Sequence, residues 1–176
     1  DVLQWARRRG CLVIRNEQNV GVWASVNRGL ALARSPRVFI LTSDVLLGPH
    51  AIQVLSDVMD QAPEELVHLG PWVVEGPGAI RGTPLLGNVP QAVRVDASRY
   101  NGAAWLMRWD VLQERVGWFN PDYYVAYGDT AYIEHISRAG LSYGVVPELL
   151  CIHLDKQSRR ADHTVDQDTE VEIRDG

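Results

Sequence analysis

Val38-Phe39-Ile40-Leu41-Thr42-Ser43-Asp44 is an apolar run closed by two small polar residues and a carboxylate. Four apolar residues in a row predict a strand buried on both faces, in the middle of a sheet. Such a run delivers Asp44 to the carboxyl end of that strand, the edge where open α/β sheets bind ligands. A carboxylate there can hold a divalent cation by hard oxygen coordination, and the cation can hold a diphosphate. The competing reading is a turn, closed by Asp44 ahead of Leu46-Leu47-Gly48-Pro49.

On the amino side of this run, Val22, Val26, Leu30 and Ala33 recur at helical spacing and predict a helix over 22–34, ended by Ser35-Pro36. Before it come a polar loop, 15–21, and Cys11-Leu12-Val13-Ile14, which reads as a short buried strand. Residues 1–9 read as a helix with Val2, Leu3, Trp5 and Ala6 on one face, arginines in the last turn, and Gly10 as its stop. On the carboxyl side, Pro49 suits the first position of a helix whose inner stripe is Ile52, Leu55, Val58 and Met59. Leu66–Leu69 and Trp72–Val74 read as apolar pieces broken by Gly70-Pro71. Glycine and proline then accumulate from Glu75 to Pro90, which reads as a long loop, functional or mobile. Val93 and Val95 suggest a short exposed strand. Gly102 to Met107 is a further buried strand, 110–115 a short helix, and 129–139 a helix stopped by Gly140. Tyr143–Val146 and Leu149–Ile152 are strands on either side of Pro147. Strand and helix alternate through the first seventy or so residues, which predicts an α/β fold with a mostly parallel sheet.

The 176 residues, 46% of them hydrophobic, suffice for one domain with a sizeable core. The formal net charge is -5, and no basic face is evident, which argues against nucleic acid as a partner. Cys11 and Cys151 both lie in apolar runs and read as small buried hydrophobes of a reducing compartment. With no run of membrane-spanning length and no signal peptide, the expected location is the cytoplasm, including the inner face of the membrane. The domain is expected to span 1–158. The tail, 159–176, has six acids against one arginine from residue 161 onward, and reads as mobile or as lying on a partner.

Two polar positions join Asp44 as candidates. Asp129 opens a helix after an aromatic run. It reads either as an N-cap or as a general base, its proton affinity raised by partial desolvation among tyrosines. His153 follows the strand Leu149–Ile152. A histidine there is more often structural, but a neutral imidazole also suits Mn²⁺. Asp44 and His153 both end apolar strands, so both can reach the same sheet edge.

The order of these pieces resembles family 2 glycosyltransferases of the GT-A fold, closest to the rhamnosyltransferase-like branch. Asn19-Val20-Gly21 with the following helix resembles that family's asparagine-glycine loop. The strand ending Thr42-Ser43-Asp44 is similar to its strand and DXD-type motif. Gly102-Ala103-Ala104-Trp105-Leu106-Met107-Arg108 resembles its glycine-alanine strand at the donor–acceptor junction. Gly117-Trp118-Phe119-Asn120-Pro121 is similar to its G-x-F-D turn, Tyr127-Gly128-Asp129 to its E-D-x-D stretch, and Pro147, His153 and Ser158 to its closing P…H…S pattern. The resemblance covers about residues 11 to 158.

What the resemblance implies is transfer of a sugar from a UDP-, GDP- or dTDP-linked donor to a carbohydrate, lipid-linked or protein acceptor. Asp44 and His153 would hold Mn²⁺ or Mg²⁺ on the diphosphate. Asp129 would deprotonate the acceptor hydroxyl as it attacks, with inversion. Asn19, Gly21, Thr42 and Ser43 would line the nucleotide-sugar side. Gly102, Ala103, Trp105, Trp118 and Gly128 would shape the acceptor and sugar pocket. Thr42, Gly128 and Ala131 stand where the family pattern has acids. Against the family pattern, the opening strand, helix and second strand are missing before Asp1, so the resemblance implies either a fragment or remnant of a longer protein, or a shortened domain whose sheet a homo-oligomer or a partner chain would complete. The alternative reading is a catalytically inactive glycosyltransferase-like module that binds sugar or protein. An unrelated nucleotide-binding domain lacks support, because no glycine-rich phosphate loop of the P-loop or dinucleotide type is present.

Overall fold

The computed structural model describes residues 2–76, 94–124 and 126–154. In chain order the elements are α1 (Val2–Arg8), α2 (Val22–Leu30), β1 (Arg37–Leu41), β2 (Val45–Leu47), α3 (Ala51–Gln61), β3 (Leu66–Glu75), β4 (Ala104–Arg108), α4 (Trp109–Arg115), α5 (Gly128–Arg138) and β5 (Ser142–His153). The strands form one sheet in the order β1-β4-β3-β5-β2. The fold is α/β, with helices on both faces.

The pairing corrects the expectation of a mostly parallel sheet. Only β3 and β5 run parallel, while β1–β4, β3–β4 and β2–β5 are antiparallel. Strand–helix alternation predicts parallel crossovers, but β4 enters between β1 and β3 after a long excursion and reverses direction. In consequence β1 is an edge strand among the described residues, not a central one. Val38, Phe39 and Ile40 are half-buried and Leu41 is exposed.

Other expected boundaries also shift. Residues 11–14 form no strand. Among the described residues no strand pairs with them, and Cys11, Leu12 and Ile14 are exposed. The apolar face of α1 is likewise open, with Leu3 and Trp5 exposed and the Arg9 guanidinium over the Trp5 ring at 4.1 Å. Gly70-Pro71 does not divide β3. The strand passes through a register shift between Pro71 and Trp72, where three residues of β5, 147–149, are skipped. That bulge also accommodates Pro147, so β5 is one strand, not two. Near Val95 the ladder is reduced to a single bridge between Asp96 and Val145. Pro49 lies in the turn before α3, whose N-cap is His50. The expected loop lies mostly outside the described residues, as does the acidic tail.

Side-chain alternation along the strands splits the core into two layers. Trp105 and Met107 face α2, α4 and α5, where Trp23, Leu112, Phe119, Tyr132 and Ile136 are buried. Leu106 and Leu69 face α3, against Val54, Leu55 and Met59. Each such side chain contributes about 1.5–3 kcal/mol on burial. Arg108 ties α3 to the sheet by donating to Met59 O (2.5 Å) and Leu66 O (3.1 Å), satisfying a carbonyl that the helix end leaves open. His68 is buried and stacked on Trp105, and burial pulls its pKa down to about 3, so the ring is neutral.

Asn101 positions the start of β4. It is 1% exposed; its Oδ1 accepts from Ala103 N (2.7 Å) and Ala104 N (3.0 Å), and its Nδ2 donates to Pro71 O (2.8 Å). Gly70 lies beneath it, where a Cβ would stand 2.6 Å from Asn101 Cβ. We predict that Asn101→Ala, which strands buried amides and a carbonyl, lowers stability by about 2–4 kcal/mol. A denaturant midpoint within error of the parent would refute this.

Candidate active site

β1, β3 and β5 all run in the same direction, opposite to β4. Their carboxyl ends therefore share one rim with the amino end of β4. Four chain segments meet there: 42–44 after β1, Glu75 and Gly76 ending β3, 101–103 before β4, and His153 ending β5. Val45 pairs with His153 and Leu154 N donates to Asp44 O (2.8 Å), which fixes the Asp44 turn against β5.

The Asp44 and His153 side chains meet on this rim. Asp44 Oδ2 lies 3.4 Å from His153 Nε2, with both side chains less than a fifth exposed. The other ring nitrogen, Nδ1, lies 3.0 Å from Glu75 Oε2 and 3.2 Å from Glu75 Oε1. Glu75 pairs with His153 across the parallel ladder, and Gly76 N donates to His153 O (2.9 Å). The imidazole thus bridges two carboxylates. Glu75 escaped the sequence reading. Its one signal was its place at the end of an apolar run, the same signal that singled out Asp44.

Asp129 occupies the first turn of α5 rather than its N-cap, which is Tyr127. Asp129 Oδ1 accepts from Thr130 N at 2.9 Å. Its other oxygen lies against Gly102, where a Cβ would fall 2.1 Å from Oδ2. The carboxylate therefore occupies space that only glycine leaves open. Gly128 is under a similar constraint: a Cβ there would fall 2.2 Å from Trp23 Nε1. Tyr127 adopts φ 63°, uncommon for a bulky residue, and thereby turns the chain into α5. Trp23 stacks on Phe119 (4.8 Å) and Phe119 on Tyr132 (3.9 Å), so the aromatic column under α5 sets its height. Beside Asp129, the Tyr100 hydroxyl bonds Thr130 Oγ1 at 2.7 Å. Burial raises the Tyr100 pKa, and the Asp129 charge adds to the rise.

Thr42 joins the two halves of the rim. Its N–H and its Oγ1 both donate to Ala103 O, at 2.9 and 3.1 Å, and Ala103 follows Gly102. Ser43 is exposed at the same turn. Asn19 and Gly21 form the loop before α2: Asn19 Oδ1 accepts from Gly21 N (3.0 Å). Gly21 has φ 82°, and a Cβ there would meet Tyr124 O at 2.7 Å. This loop is docked on the segment leading to Tyr127, through Val22 N to Tyr124 O (2.9 Å) and Tyr124 OH to Asn19 O (3.2 Å).

Two expected pocket residues lie elsewhere. Trp105 is 2% exposed and belongs to the core, because its alternation phase points it at the helices rather than the rim. Trp118 packs edge-on against Trp109 at 5.1 Å. Trp109 is anchored to Pro36 at the opposite end of β1 (2.7 Å), so Trp118 lies away from the rim.

Asp44 and His153, a carboxylate oxygen and an imidazole nitrogen 3.4 Å apart, could together hold a divalent ion such as Mn²⁺. Among the described residues no three or more His, Cys, Asp or Glu side chains are placed to hold a metal ion by themselves.

No curated protein matches the chain. Among solved structures it is similar to the mannosyltransferase PcManGT from Pyrobaculum calidifontis in complex with GDP-Man and Mn²⁺. The identity is 23% and the TM-score 0.62, over 99% of this chain and 51% of that one. The chain thus spans about half the length of that structure, and the likeness is one of fold. No helix among the described residues is long and apolar enough to cross a membrane. The family model for glycosyl transferase family 2 matches residues 2–115, more than half of the sequence, and the chain belongs to that family, on a GT-A scaffold.

Proposed function

We propose that this chain carries the catalytic rim of a metal-assisted, inverting glycosyltransferase using a nucleotide-diphosphate sugar. The observation that carries the reading is the convergence of Asp44 and His153, 3.4 Å apart, on the rim where Asp129 rests against Gly102. Asp44 and His153 would hold Mn²⁺ or Mg²⁺, which offsets charge on the departing diphosphate. Asp129 takes the proton of the acceptor hydroxyl as its oxygen bonds the anomeric carbon. The bond from that carbon to the donor phosphate breaks and its electron pair leaves with the diphosphate. Attack from the face opposite the leaving group inverts the anomeric centre. Asn19, Gly21, Thr42 and Ser43 line the donor side, and Gly102, Ala103 and Gly128 shape the acceptor and sugar pocket, Gly102 by leaving room for the Asp129 carboxylate. A GDP-linked sugar is the first donor to test, since the similar solved structure holds GDP-Man.

Three outcomes are expected with the full chain. Asp129→Asn abolishes transfer and leaves donor affinity within about twofold, since the amide keeps the shape but cannot take a proton; equal loss of both would refute the general-base role. Asp44→Ala weakens the Mn²⁺ dependence of donor binding, and an unchanged Mn²⁺ titration would remove Asp44 from the metal site. Gly102→Ala pushes the Asp129 carboxylate aside and lowers kcat about 100-fold, as an ångström of misplacement does, while the melting temperature stays near that of the parent. Unaltered kcat would mean that Asp129 works from another position.

A further inference from the structure

The bridge from Glu75 to His153 has a chemical consequence that neither the family pattern nor the Asp44 motif contains. A neutral imidazole carries one proton and can present a lone pair on only one ring nitrogen. Here carboxylates face both nitrogens, Glu75 at Nδ1 and Asp44 at Nε2. The ring orientation is determined by this arrangement, since a flip would set carbons against both acids. Glu75 is the closer partner, with both oxygens within 3.2 Å of Nδ1. It is also held from the backbone side, in register with His153 and followed by the Gly76 N to His153 O bond. Its side chain is 63% exposed, so it is not retained by packing.

We infer that Glu75 is a positioning residue that keeps the His153 proton on Nδ1, leaving the Nε2 lone pair to bind a divalent cation together with Asp44. This inference rests on the metal reading of the same rim. The physical basis is that a carboxylate accepting the distal N–H of a ligating histidine sets its tautomer and raises its basicity, typically worth 10- to 100-fold in metal affinity. Without Glu75, Asp44 is the remaining carboxylate at the ring among the described residues. It draws the proton onto Nε2, the atom the cation needs.

Two measurements on the full chain test this, one of them free of metal. Nitrogen-15 NMR of His153, at a pH where the ring is neutral, should show the Nδ1–H tautomer in the parent and a shift toward Nε2–H in Glu75→Ala. Glu75→Gln, whose amide oxygen still accepts, should retain much of the parent signature. Mn²⁺ titration followed by electron paramagnetic resonance should show affinity reduced about 10- to 100-fold in Glu75→Ala and less in Glu75→Gln. An unchanged tautomer, or unchanged Mn²⁺ affinity, in Glu75→Ala overturns the inference while Mn²⁺ binding that depends on Asp44 leaves the metal reading standing. A parent chain that binds no Mn²⁺, with or without a nucleoside diphosphate, overturns both.

Discussion

The parallel register between β3 and β5 is the constraint on which the rim depends. It aligns Glu75 with His153 and brings the carboxyl ends of both strands to the level at which β1 delivers Asp44. A slip of one residue would turn His153 to the other face of the sheet and separate it from both acids. The register is held where the ladder is weakest. At the shift between Pro71 and Trp72, Asn101 binds the Pro71 carbonyl and the first amides of β4 together. One buried amide side chain thus couples the bulge in β3 to the entry of β4, and through Ala103 to Thr42.

The second half of the rim is built by omission. Gly102 and Gly128 lie where a Cβ would strike Asp129 and Trp23, so the carboxylate and the indole approach the backbone closely. Tyr127 takes a left-handed backbone conformation to make that entry, which costs on the order of 1–3 kcal/mol and persists because the aromatic column beneath α5 holds the helix in place. The two glycines thus let a carboxylate and an indole pack directly on the backbone at the entry to α5.

Part of the exposed apolar surface lies on the first segment and along one edge of the sheet. Leu3, Trp5, Leu12 and Ile14 lie open along the first segment, and β1 leaves one edge without a strand among the described residues. An edge of this kind is a template for further pairing. The similar solved structure is about twice as long as the portion this chain covers.

What the sequence by itself determined is local and periodic. Helical spacing located α2 and α3, but α2 ends at Leu30, short of the expected stop at Ser35-Pro36, and α3 begins at Ala51, after Pro49; apolar runs ending in polar residues located β1 and the end of β5. The ordered pieces from Asn19 to His153 also carried the family likeness, because loops at the strand ends are where such families keep their chemistry. The tertiary structure alone decided the partner of each strand, and hence that the sheet is mixed and β1 an edge. It decided that Trp105 is core and Trp118 far from the rim, since an aromatic residue reads the same in either place until its neighbours are known. It also decided that Glu75 faces His153, 78 residues away. Periodicity records which way a side chain points along its own strand. Which strand lies alongside depends on contacts across the chain that no local window contains.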